Sequence, residues 1–304
     1  MSAQRAIGVD VGGTKVLAGL VDRDGRVERR EERPTPVSSE DVLLAELDSM
    51  VEHLLDDSVA VLGFGLPSTI DQRAGRAETS VHVPLTGVDF RDRMAQRFGL
   101  PVAIDNDGNA AAIAEWKLGA GRGASHIVAL TLGTGIGGGL ILDGRPYRGS
   151  IGAGAELGHI VLDYGGVSCG GACTGHGHFE ALVAGSAADD AAVRRFGAGA
   201  DGRQLVERAL AGDEGARDDL AELGRRLGAG IASLVNVFNP ELVIVGGGFA
   251  HAGELILAHA RETLAVEALP PGRDLVRIVR AAFGHEAGMI GAALVGFETL
   301  DAAS

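Results

Sequence analysis

The chain has 304 residues, of which 46% are apolar, and it carries a formal net charge of −14. This length and apolar content predict a globular protein that can bury two cores, and they exclude a disordered tail. The acidic charge argues against nucleic acid or an anionic membrane as the main partner. No apolar signal segment precedes the first strand, and no apolar run reaches the roughly 18 residues needed to cross a bilayer. We therefore expect a cytoplasmic protein.

A pattern near the start of the chain is repeated in its middle. Residues 7–26, "IGVDVGGTKVLAGLVDRDGR", predict a strand, a Gly/Thr turn, a second strand and an Asp-Gly hairpin turn. Residues 127–146, "IVALTLGTGIGGGLILDGRP", show the same order about 120 residues later. Glycine hairpins are common, so chance could produce this similarity. We interpret the repeat as two domains with similar cores.

Helices and further strands follow each copy of the repeat. The spacing of apolar residues predicts helices at 41–55, 109–118 and 214–237, and strands at 59–66, 101–105 and 241–250. Because strands and helices alternate, we predict an α/β fold. The chain lacks a long Pro/Ser-rich linker, so we expect short connections between the domains near 119–125.

The turn in the second copy of the repeat is rich in glycine. Its sequence "GTGIGG", residues 133–138, fits the dinucleotide-binding fingerprint G-x-G-x-x-G. In that motif the glycines open a helix, whereas here they lead into another strand, which excludes a Rossmann loop. The chain has no G-K-[ST] sequence and hence no Walker motif. A tight turn between two strands can still bind phosphate through its exposed amides.

The turn in the first copy, "DVGGTK", adds side-chain chemistry to the same geometry. Asp10 at a strand end could hold Mg²⁺ or its waters, and Gly12 and Gly13 let the backbone approach a phosphate. Thr14 and Lys15 add a hydroxyl and a cation. An ordinary β-turn is the alternative for either loop alone. Two such loops at matching points of a repeat favour a phosphate site.

The motifs "DVGGTK", "GTGIGGG" and "VIVGGG", in this order, resemble the phosphate and adenosine motifs of actin-like sugar kinases. More narrowly, essentially the whole chain resembles the ROK family, and within it the bacterial glucokinases. The resemblance implies a duplicated actin-like (ribonuclease H-like) fold with the active site in the cleft between two domains. The small domain would span residues 1–118 and the large domain 119–284, with the last helix, 285–304, packed back on the small domain.

The resemblance also implies ATP and Mg²⁺ as cofactors. It assigns the metal–phosphate end of the site to Asp10 and its loop, phosphate contacts to the second glycine loop, and adenosine contacts to the third. The residues assigned in this way are Asp10 for magnesium, and Gly12, Gly13, Thr14, Lys15, Gly133, Thr134, Gly135, Gly246, Gly247 and Gly248 for the nucleotide.

A polar pair in "IDNDGNAAAIAE", residues 104–115, lies where a strand meets a helix. There a carboxylate can accept a proton from a substrate hydroxyl, and an amide can orient a sugar. Helix capping is the alternative role for Asn and Asp at this position. The resemblance assigns Asn106 as a sugar ligand and Asp107 as the catalytic base. Asp105 is the competing carboxylate, but the register N-D-x-N-A favours Asp107.

Other sugar contacts come from several separate segments. Glu156 and His159 lie three residues apart in a glycine-rich loop, a pattern that suits recognition of hydroxyl groups. The resemblance assigns sugar contacts to these two residues and to Gly65, Pro67, His82 and Glu180. Ser68 and His82 replace a glycine and an asparagine that are usual in the family, which leaves the identity of the sugar open.

The only two cysteines, Cys169 and Cys173, have C-x3-C spacing, which alone is a weak metal signal. The family has a zinc site here, written C-x-C-G-x-x-G-C-x-E, plus an upstream histidine. In that register His178 replaces the last cysteine, Cys173 matches the middle one, and Cys169 is displaced by two residues. We therefore predict a closed structural Zn²⁺ site of His159, Cys169, Cys173 and His178, with His176 as the alternative histidine.

These interpretations together predict a glucokinase that transfers phosphate from ATP to O6 of glucose. The alternatives are a kinase for fructose, N-acetylmannosamine or allose, or one that uses polyphosphate. A sugar-responsive regulator is a further alternative, although the position of Asp10 leaves no room for an N-terminal DNA-binding domain. The resemblance also implies a homodimer with small-molecule partners only.

Overall fold

The computed structural model describes residues 4–80, 83–170 and 173–302. The first half of the chain forms a five-stranded sheet in the order β3-β2-β1-β4-β7. Strands β1 to β3 are antiparallel, and β1, β4 and β7 are parallel. The elements of this half are β1 (Arg5–Val11), β2 (Lys15–Val21), β3 (Val27–Pro34), α1 (Glu40–Leu54), β4 (Val59–Leu66), β5 (Ser68–Asp71), β6 (Arg76–Ser80), α2 (Phe90–Phe98), β7 (Val102–Asn106) and α3 (Asp107–Lys117).

The second half of the chain builds another five-stranded sheet with the same pattern, in the order β10-β9-β8-β13-β14. An antiparallel hairpin is again followed by parallel strands. The elements are β8 (Ile127–Leu132), β9 (Ile136–Leu142), β10 (Arg145–Pro146), β11 (Ser168–Gly170), β12 (Cys173–His176), α4 (Phe179–Val183), α5 (Gly185–Phe196), α6 (Gly202–Leu210), α7 (Glu214–Phe238), β13 (Leu242–Gly246), α8 (Glu254–Glu267), α9 (Gly272–Leu275), β14 (Arg277–Arg280) and α10 (Ala287–Ala302).

The predicted helices and strands are present, with ends that differ by a few residues. The largest difference is at 241–250, where the strand ends at Gly246 and a 3₁₀ turn follows at Gly248–Ala252. Gly247 explains this end, because its φ of 87° turns the chain off the sheet. Both predicted hairpin turns form, with Gly25 and the pair Asp143–Gly144 at positive φ.

Helix α10 packs between the first sheet and α3. Its residues Ala287 to Phe297 are all buried, which explains why the helix is apolar around its whole circumference. Two glycines permit this close packing. A Cβ at Gly291 would lie 1.7 Å from the carbonyl oxygen of Ala110, and one at Gly63 of β4 would lie 1.8 Å from that of Ala292. Within the described residues, no helix has both the length and the apolar character required to cross a membrane.

Glu115 joins the two segments by which the chain passes between the sheets. Its side chain is only 2% exposed. One oxygen, Oε2, accepts hydrogen bonds from the amides of Ala120 at 3.0 Å and Ala282 at 2.9 Å, and Oε1 accepts one from Phe283 at 2.8 Å. Ala120 lies in the connection from α3 to β8, and the other two lie between β14 and α10. A single buried carboxylate therefore holds both connections together.

We expect Glu115→Ala to lower the free energy of unfolding by about 2–4 kcal/mol, because three amides lose a buried acceptor. Glu115→Gln keeps one side-chain oxygen and should lose less. Urea denaturation of the two variants, with the exposed Glu207→Ala as control, measures the difference. An unfolding midpoint in Glu115→Ala equal to that of the control would contradict this role.

Candidate active site

A cavity of about 440 Å³ lies between the two sheets. Both halves of the chain contribute to its wall. Predicted site residues in the lining are Gly13, Thr14, Pro67, Asn106, Asp107, Gly133, Thr134, Gly135, Glu156, His159, Glu180 and Gly247. The fold thus brings together groups that are as much as 234 residues apart, Gly13 and Gly247.

Asp107 is placed at the cavity by the junction of β7 and α3. Asn106 caps the helix, with its Oδ1 accepting from the amides of Gly108 at 2.9 Å and Asn109 at 3.2 Å. Asn106 therefore caps the helix and lines the cavity at the same time. Burial raises the pKa of Asp107 to about 6, a hydrogen bond from the Gly108 amide opposes the rise, and the negative charge of Glu156 adds to it. This pKa suits a general base near neutral pH.

Asp105, the competing carboxylate, lies outside the cavity lining. It is 1% exposed, and its Oδ2 accepts hydrogen bonds from Nε of Arg148 at 2.8 Å and from Nη2 at 2.6 Å. This carboxylate is therefore already paired with the guanidinium of Arg148. Of the two aspartates, Asp107 is the one that faces the cavity.

The two glycine turns face the cavity from equivalent positions in the two sheets. In the first, the Gly12 amide donates to the carbonyl of Lys15 at 2.9 Å, and in the second the Gly133 amide donates to the carbonyl of Gly135 at 2.9 Å. The second turn is also held from behind, since the Gly185 amide at the start of α5 donates to the carbonyl of Gly133 at 2.8 Å. Glycine turns that line a cleft can bind phosphate oxygens through backbone amides.

The Lys15 side chain pairs with a residue of β3 and does not reach the cavity. Its Nζ lies 2.9 Å from Glu32 Oε2 in an ion pair between β2 and β3, and both side chains are about half exposed. Lys15 does not line the cavity, although its charge lowers the pKa of the neighbouring Asp10.

Asp10 lies at the end of β1, behind the first glycine turn. Its carboxylate lies against the start of α10, where a Cβ at Gly288 would approach Oδ2 to 2.4 Å. Burial raises the pKa of Asp10 to about 7, and the charge of Asp107 adds to the rise. Two partly buried carboxylates that repel each other beside the first glycine turn fit a hydrated Mg²⁺ ion, which would relieve the repulsion.

Four side chains next to the cavity bring their donor atoms together: His159, Cys169, Cys173 and His178, whose donor atoms all lie within 4.8 Å of one another. The Nδ1 atoms of the two histidines are 3.2 Å apart, and Cys173 Sγ is 3.6 Å from Nδ1 of His178 and 3.9 Å from that of His159. Tetrahedral zinc, with bonds of about 2.0 Å to nitrogen and 2.3 Å to sulfur, separates its ligand atoms by about 3.3–3.8 Å.

The electrostatics of the cluster also fit a cation. Burial raises the pKa of the Cys169 thiol to about 12, and Cys173 and Glu180 add to the rise, so the surrounding groups do not stabilise a thiolate. A zinc ion would supply that stabilisation. His176 is exposed on β12, outside the cluster, so the geometry favours His178 over the alternative histidine. With four protein ligands the site would be closed and structural.

Glu180 connects this cluster to the second glycine turn. Its Oε2 accepts a hydrogen bond from the Ile136 amide at 2.7 Å, and its Oε1 lies 3.7 Å from Cys169 Sγ. The close fit requires glycine opposite, because a Cβ at Gly135 would lie 2.1 Å from Oε2. Glu180 thus contacts Cys169 of the His/Cys cluster, the cavity and the turn at once.

Several predicted positions support the cavity wall from behind. Gly65 lies between Asp10 and Asp107, with a Cβ there 3.4 Å from Cα of Asp107, and Gly246 ends β13. Asp10, Gly12, Lys15, Gly65, Gly246 and Gly248 do not line the cavity. His82 lies outside the described residues.

The cavity also contains side chains that the sequence motifs did not indicate. Ser68, Thr69, Thr79 and Thr131 line it. Ser68 is 3% exposed, and its hydroxyl has no hydrogen-bond partner among the described residues. In the sequence, the only sign of a role for Ser68 was that it replaces a glycine that is usual in the family.

Two matching sheets, with a cleft between them lined by carboxylates and glycine turns, define a duplicated two-domain α/β protein. The chain belongs to the ROK family, whose model matches residues 6–297. It is 35% identical over 320 residues to the glucokinase of Thermotoga maritima, covering 97% of this chain and 98% of that one. A ROK family glucokinase from Streptomyces griseus, solved in complex with glucose and AMPPNP, is 32% identical with a TM-score of 0.88, covering 97% and 99% of the two chains.

Similarity extends to proteins with other names. The N-acetylmannosamine kinase of Escherichia coli is 32% identical over 295 residues, with 95% of this chain and 97% of that one covered. The xylose repressor of Caldicellulosiruptor bescii is 30% identical over 216 residues, 54% of its length. The comparisons confirm the predicted family and the duplicated actin-like α/β fold.

Proposed function

We propose that this protein is a sugar kinase that transfers phosphate from ATP to O6 of a hexose, with glucose as the preferred acceptor. The observation that carries the proposal is the cavity itself, whose lining contains a partly buried carboxylate, Asp107, together with residues of the two glycine turns. The glucose and AMPPNP bound to the S. griseus relative support both the acceptor and the donor.

At the sugar end, Asp107 accepts the O6 proton as this oxygen attacks the γ-phosphorus of ATP, and the bond from that phosphorus to the bridging oxygen breaks to release ADP. Asn106, Glu156 and Glu180 line the same cavity and offer acceptors for sugar hydroxyls, with Pro67 and Gly65 shaping the wall. His159 also lines the cavity, and because its Nδ1 faces the His/Cys cluster, it offers its Nε2–H as a donor to a hydroxyl oxygen. Several converging acceptors give specificity, because a ligand that lacks a matching hydroxyl leaves one of them unpaired.

At the nucleotide end, the amides of Gly13, Thr14 and the Gly133–Gly135 turn bind the phosphates. The third glycine motif, Gly246, Gly247 and Gly248, contacts the adenosine through Gly247, the one of the three that lines the cavity. Asp10 would hold Mg²⁺, and the bound ion would supply charge neutralisation on the phosphates. Most of the catalysis then comes from positioning and electrostatics around a loose transition state. Since Lys15 pairs with Glu32, its contact with phosphate requires that this pair separate.

The raised pKa of Asp107 predicts the pH dependence of the reaction. The base must be ionised, so kcat/KM for the hexose should fall about tenfold per unit as the pH drops below about 6. Glu156→Gln removes a negative charge that raises this pKa, so it should move the acid limb to lower pH. Profiles at saturating Mg-ATP, with the exposed Glu207→Gln as control, test this. If Glu156→Gln leaves the acid limb of the kcat/KM profile at the same pH as in the wild type, this explanation of the pH dependence is wrong.

The preferred sugar and the phosphate donor are tested by a matrix assay. ADP release would be measured with glucose, fructose, N-acetylmannosamine and allose, and sugar phosphate formation with ATP or polyphosphate as donor. We expect the highest kcat/KM for glucose with ATP. A preference for N-acetylmannosamine would favour the activity named for the E. coli relative. Failure of every sugar with every donor would favour a sugar-binding regulator, as named for the C. bescii relative.

We also propose that the protein acts as a cytoplasmic homodimer with a domain boundary at 118/119. The two largest apolar clusters, one on each sheet, and the packing of α10 on the first sheet support this boundary. Ala112 of α3 packs across it in a smaller cluster with the second sheet. Light scattering distinguishes a dimer from the 31.1 kDa monomer.

A further inference from the structure

Arg148 joins the two halves of the molecule beside the cavity without lining it. It lies in the loop after β10, in the second half, and its guanidinium pairs with Asp105 at the end of β7, in the first half. Asp105 is 1% exposed and Arg148 is 25% exposed. This ion pair is therefore largely shielded from water.

The Asp105 end of this ion pair is fixed to the segment that carries the proposed base. While Oδ2 of Asp105 binds Arg148, its Oδ1 accepts from the Asn106 amide at 2.9 Å, from Asn109 Nδ2 at 3.2 Å and from Gln72 Nε2 at 3.3 Å. The next two residues along the chain are Asn106 and Asp107. Movement of the Asp105 carboxylate would consequently move the backbone of both.

The second end is fixed to the segment that carries Glu156 and His159. The carbonyl of Arg148 accepts from the Gly154 amide at 2.9 Å, two residues before Glu156. The same loop presses on β5, where a Cβ at Gly152 would lie 1.8 Å from the carbonyl oxygen of Ile70. Arg148 is thus tied both to its own loop and to the opposite wall of the cavity.

We propose that Arg148 is a positioning residue, which through Asp105 sets the distance between Asn106–Asp107 and Glu156–His159 and so determines how tightly a polyol is held. The inference rests on the proposed sugar kinase function and adds a residue that contacts neither substrate nor nucleotide. A buried ion pair adds little net stability compared with an apolar pair of similar volume, so its contribution lies in geometry.

The kinetic test compares Arg148→Ala with Arg145→Ala, which removes the same charge from an exposed position three residues earlier in the chain. We expect Arg148→Ala to raise the KM for the sugar at least about tenfold, because small displacements of binding groups are costly. The KM for ATP should stay within about twofold, and Arg148→Lys should recover part of the loss. Unchanged sugar KM, or equal rises in both KM values, would overturn the proposal.

A second variant separates lost positioning from an unpaired buried charge. Asp105→Asn combined with Arg148→Met removes both charges and keeps similar volumes. We expect its sugar KM to be raised as in Arg148→Ala, while its melting temperature stays near that of the wild type. A normal sugar KM in this folded double variant would overturn the positioning role.

Hydrogen exchange of the unliganded protein tests the bridge without any turnover. We expect faster exchange confined to peptides spanning 106–109 and 149–159 in the double variant, and none in Arg145→Ala. Unchanged exchange, or faster exchange across the whole first sheet, would overturn the inference. If the wild type phosphorylates no sugar, the proposed function fails, and the exchange result still decides whether Arg148 positions the two segments.

Discussion

Asp107→Asn should lower kcat for the hexose by at least about a hundredfold while sugar binding is only modestly weakened. The substitution keeps the shape and the acceptor oxygen that binds the Gly108 amide at 2.9 Å, so the start of α3 should be preserved. It removes the group that we propose accepts the O6 proton. Because this group acts mainly in the transition state, the loss appears in kcat and much less in binding.

The measurement is steady-state turnover together with calorimetric titration of the sugar. Asp105→Asn is the matched control, since it neutralises a carboxylate two residues away that lies outside the cavity lining. Its effect should be a rise in the sugar KM through Arg148, with a smaller loss of kcat. Near-normal kcat in Asp107→Asn would remove Asp107 from the role of base.

Cys173→Ser should abolish tight zinc binding and weaken sugar binding by at least about tenfold. The metal would hold His159, whose ring lies in the cavity wall, and would also fix Cys169 beside Glu180. Glu180 in turn binds the Ile136 amide, so its displacement should loosen the second glycine turn. We therefore expect a smaller loss of ATP affinity in the same variant.

The matched control is His176→Ala, which removes an exposed histidine from the same hairpin. It should retain one zinc per chain in elemental analysis of protein purified without chelators or affinity-column metal. Zinc loss in His176→Ala would assign the fourth ligand to His176. Fully active wild-type enzyme with a zinc content near zero would contradict a structural metal.

The features that the sequence predicted best are local in the chain. The two glycine turns lie inside hairpins whose strands are adjacent in sequence. The alternation of apolar residues and glycines along each hairpin was therefore sufficient to predict the position of the turn. The position of Asp107 could also be predicted from neighbouring residues. Strand β7 ends at Asn106, which caps α3, so the next side chain, Asp107, lies at the edge of the sheet.

The features that the sequence did not predict depend on distant partners. The partner of Arg148 is 43 residues away, and two of the amides that bind Glu115 are more than 160 residues away. Neither pairing leaves a periodic pattern. Lys15 was predicted as a phosphate ligand from its place in a motif, whereas the pairing of β2 with β3 places it beside Glu32, and its contact with phosphate stays a prediction.

The choice between the two histidines also required the structure. His176 ends β12, and His178 precedes α4, so the turn at Gly177 directs the two rings differently. With φ at 63°, Gly177 lets the chain reverse direction between them. Sequence spacing alone left both histidines as candidates.

The central claim is that the cleft transfers the terminal phosphate of ATP to O6 of a hexose. Phosphorus NMR of a reaction containing the wild-type enzyme, glucose, ATP and Mg²⁺ tests it most directly, because the spectrum identifies both the product and the position of the new ester. We predict stoichiometric conversion of ATP and glucose to ADP and glucose 6-phosphate, at least about a hundredfold slower with Asp107→Asn. Formation of ADP and inorganic phosphate alone, or of an ester at another oxygen, would contradict the account.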